Sequence, residues 1–153
     1  MPSLSIHHYN TAVHDLDEAV EDYRARFGME ALGPRQNNPV GKFDYISMGY
    51  GDTLITRLIT PSSEDSPIAR QMRDRATSSN PHGEGMYLIC YECDDVDAFC
   101  AQVEANGGRV NRVPGRSNAW IHPTSTHFVF MEVAEVGCIH ALLRPRTRFT
   151  RPP

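Results

Sequence analysis

The sequence has no surplus of positive charge: 15 Lys and Arg stand against 19 Asp and Glu, for a formal net charge of -4 and a pI near 5.9. Proteins that grip a phosphate backbone do so by neutralising it, so this balance argues against a nucleic-acid partner. No apolar run approaches the roughly 20 residues that span a bilayer, and no membrane association is expected. Met1 to Asn10 lack the basic stretch and apolar segment of a secretory leader, which makes the cytoplasm the expected location. Cysteine is sparse, with Cys90, Cys93, Cys100 and Cys138 the complete set. Without an exporting leader they read as packed thiols rather than bridges. Cys90 and Cys93 have a C-x-x-C spacing but fall in an apparent strand from Leu88 to Cys93. An odd offset there sends the two side chains to opposite faces, away from a shared zinc.

What the sequence does have is enough apolar residues for one core: 40% hydrophobic against 22% charged in 153 residues. A single domain over residues 1–143 is expected. The last ten residues, 144–153, hold four arginines and three prolines and read as an extended surface tail.

The domain divides by self-similarity. A shift of 80 residues lays Val13-His14-Asp15-Leu16-Asp17 over Cys93-Asp94-Asp95-Val96-Asp97, and Gly28 over Gly108. In each copy a β-prone run precedes an Asp placed to cap a helix. The apolar stripe that follows has helical spacing: Leu16, Ala19, Val20, Tyr23 and Phe27 in the first copy, Val96, Phe99, Cys100 and Val103 in the second. Glycine ends both helices, at Gly28 and Gly107-Gly108. Strands are expected at 42–48 and 53–60 around a Gly49-Tyr50-Gly51-Asp52 turn, and at 108–113, 118–122 and 128–133. Ser66 and Pro67 start a short helix through Ile68 and Met72. The fold class is therefore α+β, with module one at 4–73, a linker at 74–85 and module two at 86–143.

Two βαβββ units of this length resemble the vicinal oxygen chelate superfamily, which includes glyoxalase I, extradiol dioxygenases, bleomycin-resistance proteins and methylmalonyl-CoA epimerase. The epimerase branch resembles it most. The matching segments are His8-Tyr9-Asn10-Thr11-Ala12-Val13-His14-Asp15-Leu16, Ser63-Glu64-Asp65-Ser66-Pro67-Ile68-Ala69, Gly83-Glu84-Gly85, Glu92-Cys93-Asp94-Asp95-Val96 and His122-Pro123-Thr124-Ser125-Thr126-His127. The resemblance implies two βαβββ modules forming a curved mixed-sheet cleft, in which four inward side chains hold a divalent cation. Carried over residue by residue, those positions are His8, Arg57, Leu88 and Glu132. Only His8 and Glu132 can act as ligands. Leu88 has no donor atom, and a guanidinium about 4 Å from a dication is repelled by several kcal/mol even at an effective dielectric near 20. No metal cofactor is expected, although a divalent ion held by a rearranged ligand set stays open as an alternative. His7 is expected to face away from the cleft because it adjoins His8 on a strand, and His127 is expected to face outward.

The remaining inward set points to proton transfer next to a carbonyl. Arg57 can face a developing oxyanion, and Glu132 can serve as the base with His8 as its proton partner. Asp44 is a further catalytic candidate. It lies on the strand where the epimerases carry a catalytic carboxylate, one residue from Phe43, which takes the matching position. Asn10, Tyr45, Tyr87 and Trp120 are candidates for binding substrate, and Tyr87 enters the cleft if the register slips by one. The reading is an isomerase, epimerase or lyase acting on a small oxygenated substrate, in a homodimer. The alternatives are a non-catalytic small-molecule sequestration protein like the bleomycin-resistance proteins, a metal-dependent epimerase or glyoxalase with a rearranged site, and an Arg57–Glu132 ion pair filling a lost metal site.

Overall fold

The computed structural model describes residues 2–138. In chain order the elements are β1 (Leu4–Ala12), α1 (Leu16–Phe27), β2 (Glu30–Ala31), β3 (Gln36–Asn38), β4 (Phe43–Tyr50), β5 (Thr53–Pro61), α2 (Pro67–Arg75), β6 (Gly85–Cys93), α3 (Val96–Ala105), β7 (Val110–Arg112), β8 (Ala119–Ile121) and β9 (Met131–Glu135). A 3-10 turn at Pro123–Ser125 precedes β9. The expected 144–153 tail and the last residues of module two lie outside the described residues.

The repeated capping signal works as its chemistry dictates. Asp15 Oδ1 accepts from the Glu18 N–H at 3.0 Å, and Asp95 Oδ1 from the Ala98 N–H at 2.8 Å. Each such cap contributes about 1 kcal/mol. At the other end of α1, Gly28 has φ 66° and returns its N–H to Arg24 O. α3 ends with two bonds, Gly107 N–H to Glu104 O and Gly108 N–H to Val103 O. Gly107, at φ 83°, supplies the left-handed residue that this double closure requires.

The strands form one open mixed sheet in the order β2-β4-β5-β1-β6-β9-β8-β7, with β3 also pairing β4. β1 is parallel to β5, β6 is parallel to β9, and β1 and β6 meet antiparallel at the centre. The two modules are thus joined edge to edge along the β1–β6 seam.

The helices divide the faces. α1 covers a core of Val13, Leu16, Val20, Met48 and Leu58, while α3 covers Cys93, Val96, Cys100, Ala119 and Val133. α2 sits on the opposite face, where Ile68 and Met72 pack on Ala12 and Ile59. Leu58 and Ile59 are adjacent, so their alternation sends one to α1 and the other to α2.

Several boundaries differ from the sequence expectation. β4 runs through Tyr50, leaving Gly51-Asp52 as the turn. α2 extends to Arg75, with Arg73 and Arg75 in its last turn, where cations complement the helix dipole. The expected strand at 128–133 starts only at Met131, because His127 and Phe128 take φ 52° and 67°, outside the extended region. The short β2 and β3 had no apolar alternation to reveal them. The four cysteines are free, and Cys90 and Cys93 lie in different core clusters on opposite faces.

Candidate functional site

The sheet register lines up the cleft side chains in two neighbouring rows. In one, His8 pairs with Cys90, Cys90 with Glu132, and Glu132 with Trp120, across β1, β6, β9 and β8. In the next, Arg57 pairs with Asn10 and Asn10 with Leu88, across β5, β1 and β6. Partners in register share a face. At about 4.8 Å per strand, His8 and Glu132 are about 10 Å apart at Cα, as are Arg57 and Leu88. The fold thus brings His8, Asn10, Arg57, Glu132 and Trp120 to one side of the sheet, drawing on both modules.

Over this face lies a cavity of about 330 Å³. Its polar wall includes Asn10, Arg57, Asn111, Arg116, Asn118 and Glu132, and its apolar wall includes Phe43, Ile68, Tyr87, Leu88, Trp120 and Phe130. His8 is 2% exposed and lies beside this lining rather than in it. Three buried polar atoms here lack a well-formed hydrogen bond, His8 Nε2, Asn10 Oδ1 and Arg57 Nε, although the Asn10 side chain does interact with the His8 ring. An unpaired buried polar group costs free energy, so a cluster of them beside a cavity makes this face the candidate site.

Burial sets the charge states. It pushes the His8 imidazole down to about 3, with the positive charges of Arg57 and His7 adding to the effect and Asn10 opposing it. His8 is therefore neutral at pH 7. Loss of water raises Glu132 above the ordinary carboxylate range, while the Asn118 amide, Arg57 and Arg116 pull it back. Glu132 Oε1 accepts from Asn118 Nδ2 at 2.7 Å, and the Arg57 guanidinium lies 5.2 Å from the centre of the Tyr45 ring. Among the described residues no salt bridge joins Arg57 to Glu132.

Two irregularities on the central strand pair reshape the cleft. Between Ile6↔Tyr91 and His8↔Cys90 the ladder gives β1 an extra residue, His7. The expectation that His7 faces away from His8 is therefore corrected. The bulge breaks the alternation, and the two Nδ1 atoms lie 2.9 Å apart. Between Asn10↔Leu88 and Thr11↔Met86 the extra residue is Tyr87 on β6. That is the one-residue slip that admits Tyr87, and it lets the adjacent Tyr87 and Leu88 both line the cavity.

Besides His8, two further candidates fall outside the cavity lining. Asp44 is bound by Arg35 Nη2 at 2.8 Å and Asn37 Nδ2 at 2.7 Å, which together hold its carboxyl below the usual range, Asn37 most strongly. Tyr45 lies under Arg57 and donates its hydroxyl to Gln36. Other histidines are occupied elsewhere. His14 stacks on His82 with ring centres 3.7 Å apart, His122 caps the 3-10 turn, and His127 lies in a left-handed turn rather than on β9. Among the described residues no group of three or more His, Cys, Asp or Glu is placed to hold a metal ion. No helix among them is long and apolar enough to cross a membrane.

Sequence reasoning missed Phe130, Asn118 and Arg116, and had Phe43 only as the residue at the epimerases' carboxylate position, not as cavity wall. Phe43, Phe130 and Asn118 each precede a chosen residue by two, Tyr45, Glu132 and Trp120 respectively. Strand alternation was the signal that could have found them. Arg116 lies in a loop and had no such signal.

The two paired modules thus carry a polar and aromatic cleft on one face of a single sheet. Residues 7–128 match the Glyoxalase/Bleomycin resistance protein/Dioxygenase superfamily, and the chain belongs to that family. The ethylmalonyl-CoA/methylmalonyl-CoA epimerase of Cereibacter sphaeroides is 30% identical over 138 residues, covering 86% of this chain and 97% of the relative. A probable lactoylglutathione lyase of Vibrio cholerae is 26% identical, covering 86% of this chain and 85% of the relative. Among solved structures, a variant of Streptomyces coelicolor methylmalonyl-CoA epimerase in complex with 2-nitronate-propionyl-CoA superimposes with a TM-score of 0.70 at 28% identity. It covers 88% of this chain and 97% of that one.

Proposed function

We propose that this protein is a metal-independent isomerase, epimerase or lyase that moves a proton next to a carbonyl on a small oxygenated substrate. One observation carries the reading: Arg57 lines the same cavity as Glu132 and keeps a buried Nε–H with no partner. That is a donor available to an oxyanion. In the family resemblance, Arg57 occupies a position where a metal ligand would stand.

A divalent cation does not fit the side chains at the four family positions. His8 and Glu132 can donate, Leu88 cannot, and Arg57 repels. The residues suit direct proton transfer instead. Glu132, with its pKa raised by burial, is a stronger base than an ordinary carboxylate. It removes a proton from the carbon beside the carbonyl, and the C–H electron pair moves onto the carbonyl oxygen. Arg57 faces the resulting enolate. Delivery of a proton to the opposite face of the same carbon, which requires a second donor, gives an epimer, and return of the proton from Glu132 to a neighbouring atom gives an isomer. The names of the Cereibacter and Streptomyces relatives make CoA thioesters the first substrates to try.

The aromatic wall of Phe43, Tyr87, Trp120 and Phe130 supports a second reading, sequestration of an aromatic ligand without reaction. The experiment that tests the proposal is deuterium wash-in beside the carbonyl of acyl thioesters and of keto and hydroxy acids, followed by NMR. Wild-type exchange that Glu132→Gln abolishes is expected. Exchange at an equal rate in Glu132→Gln rejects Glu132 as base. Tight, unreactive binding of an aromatic compound moves the assignment to sequestration.

A further inference from the structure

The charged groups on the cavity wall do not balance. Arg57 and Arg116 line it against a single carboxylate, Glu132, so the wall has surplus positive charge whether Glu132 is ionised or protonated. Arg116 is exposed in the loop between β7 and β8, and among the described residues it enters no salt bridge. Nearby Arg112 differs: it lies on β7 next to Asn111, points to the helix face, and is neutralised by Asp97 of α3 at 2.6 Å. Asn111 pairs in register with Trp120 and so extends the row of Glu132 and Trp120 toward Arg116.

The rest of the wall is flat and apolar. Tyr87 and Phe130 meet edge to face with ring centres 5.4 Å apart, and Trp120 and Phe43 complete the aromatic lining. Such rings favour a planar partner. At about 330 Å³ the cavity lies near the lower end of the range for small-molecule sites, about 300 to 1,000 Å³. It has room for one ring and a short arm. A neutral ring alone would leave the positive charge of the wall without a counter-ion.

We infer that the cleft ligand is a monocarboxylic acid with a planar apolar body, its carboxylate held at the cavity mouth by Arg116 with the Asn111 amide beside it. The parallel N–H donors of a guanidinium match the two oxygens of a carboxylate. A phosphate dianion suits this wall less, because Glu132 stands near enough for Arg116 to pull its carboxyl down and repels each added negative charge. The inference rests on the proposed function's placement of the ligand in this cleft. It adds a second oxygen function to that ligand, separate from the carbonyl that faces Arg57.

Trp120 is the only tryptophan in the chain, so its indole N–H signal in a nitrogen-15 correlation spectrum reports occupancy of the cleft without turnover. Titrated into the full chain, phenylacetate is expected to shift that signal and to bind about tenfold more tightly than phenylacetamide, its neutral isostere, the scale of one charge-assisted hydrogen bond. Arg116→Gln is expected to bring the two affinities together. Arg112→Gln, which removes the same charge outside the cavity, is expected to leave their ratio unchanged. Equal affinities for acid and amide in the wild type overturn the inference, as does an indole signal that phenylacetate leaves in place. A ratio that Arg112→Gln lowers as much as Arg116→Gln also overturns it, since general surface charge is then acting. Tighter binding of phenyl phosphate than of phenylacetate overturns the carboxylate assignment in favour of a phosphate. Acid preference without deuterium exchange in any candidate removes the proton-transfer reading alone, and exchange without acid preference removes this inference alone.

Discussion

Asn118 Nδ2 donates to Glu132 Oε1 at 2.7 Å, so the cleft carboxylate is held by a neutral amide and not by the Arg57 guanidinium. An amide donor favours the ionised carboxylate without cancelling its charge. Asn118→Leu removes that support, and Glu132 is expected to rise further above the ordinary carboxylate range. If Glu132 is the base, the ascending limb of the pH–rate profile moves to higher pH, since a higher pH is then needed to ionise it. Carbon-13 titration of the Glu132 carboxyl checks the same shift without substrate. A downward move would contradict the role given to Asn118.

Arg57 has a different task. Arg57→Met keeps much of the side-chain length but removes the donor, and turnover is expected to fall by about two to three orders of magnitude, the scale of one preorganised oxyanion partner. Stability should change little through the lost contact with Tyr45, which is worth about 1 kcal/mol. Steady-state kinetics together with thermal melts separate the two effects. A large drop in melting temperature with unchanged turnover would mark Arg57 as a structural cation.

Metal content follows from the donor set. After dialysis, elemental analysis of the wild-type chain is expected to find less than one divalent ion per chain. Replacing Arg57 by Glu and Leu88 by His in one variant rebuilds four donors around His8 and Glu132, and near-stoichiometric zinc or cobalt is expected there. Tightly held stoichiometric metal in the wild type, lost in His8→Ala, would show that the cleft does take a cation.

His8 makes acid stability informative. Its imidazole titrates at about 3 in the folded chain against an ordinary value of 6.5. Between those values the unfolded chain binds a proton that the folded chain refuses. The neutral-His8 contribution is therefore fully present above pH 6.5 and is lost progressively as pH falls toward 3. At about 1.4 kcal/mol per pKa unit the loss reaches several kcal/mol. Urea unfolding midpoints should fall more steeply with acid in the wild type than in His8→Leu. Parallel slopes would mean that His8 is not held neutral by the fold.

Much of the architecture was legible because it rests on local rules. Asp15 and Asp95 announced their helices through a capping chemistry that depends on only three or four residues. The family resemblance had singled out Arg57, Leu88 and Glu132, which line the cavity together with Asn10, and His8, which lies on the same face. Cys90 and Cys93 separated to opposite faces by the strand period of two. The bulges were not legible, because an extra residue is a property of the pairing between two strands and leaves no mark on either one alone. His7 was consequently assigned to the wrong face. Asp44 shows another limit: its partners Arg35 and Asn37 lie in and beside the short β3, which has no apolar pattern to predict it.

The extra residue in β1 is also geometrically separable from the ladder. Ile6 and His8 occupy successive steps against Tyr91 and Cys90, so a chain lacking residue 7 would close the same ladder with no gap and keep both neighbours in place. Leu4, which packs with the α3 core, and Asn10, in the cleft wall, would keep their faces. The bulge is thus separable from the scaffold, since the pairing on either side of it does not depend on residue 7. The histidine it brings beside His8 would be lost with it, leaving the sheet that carries the site intact.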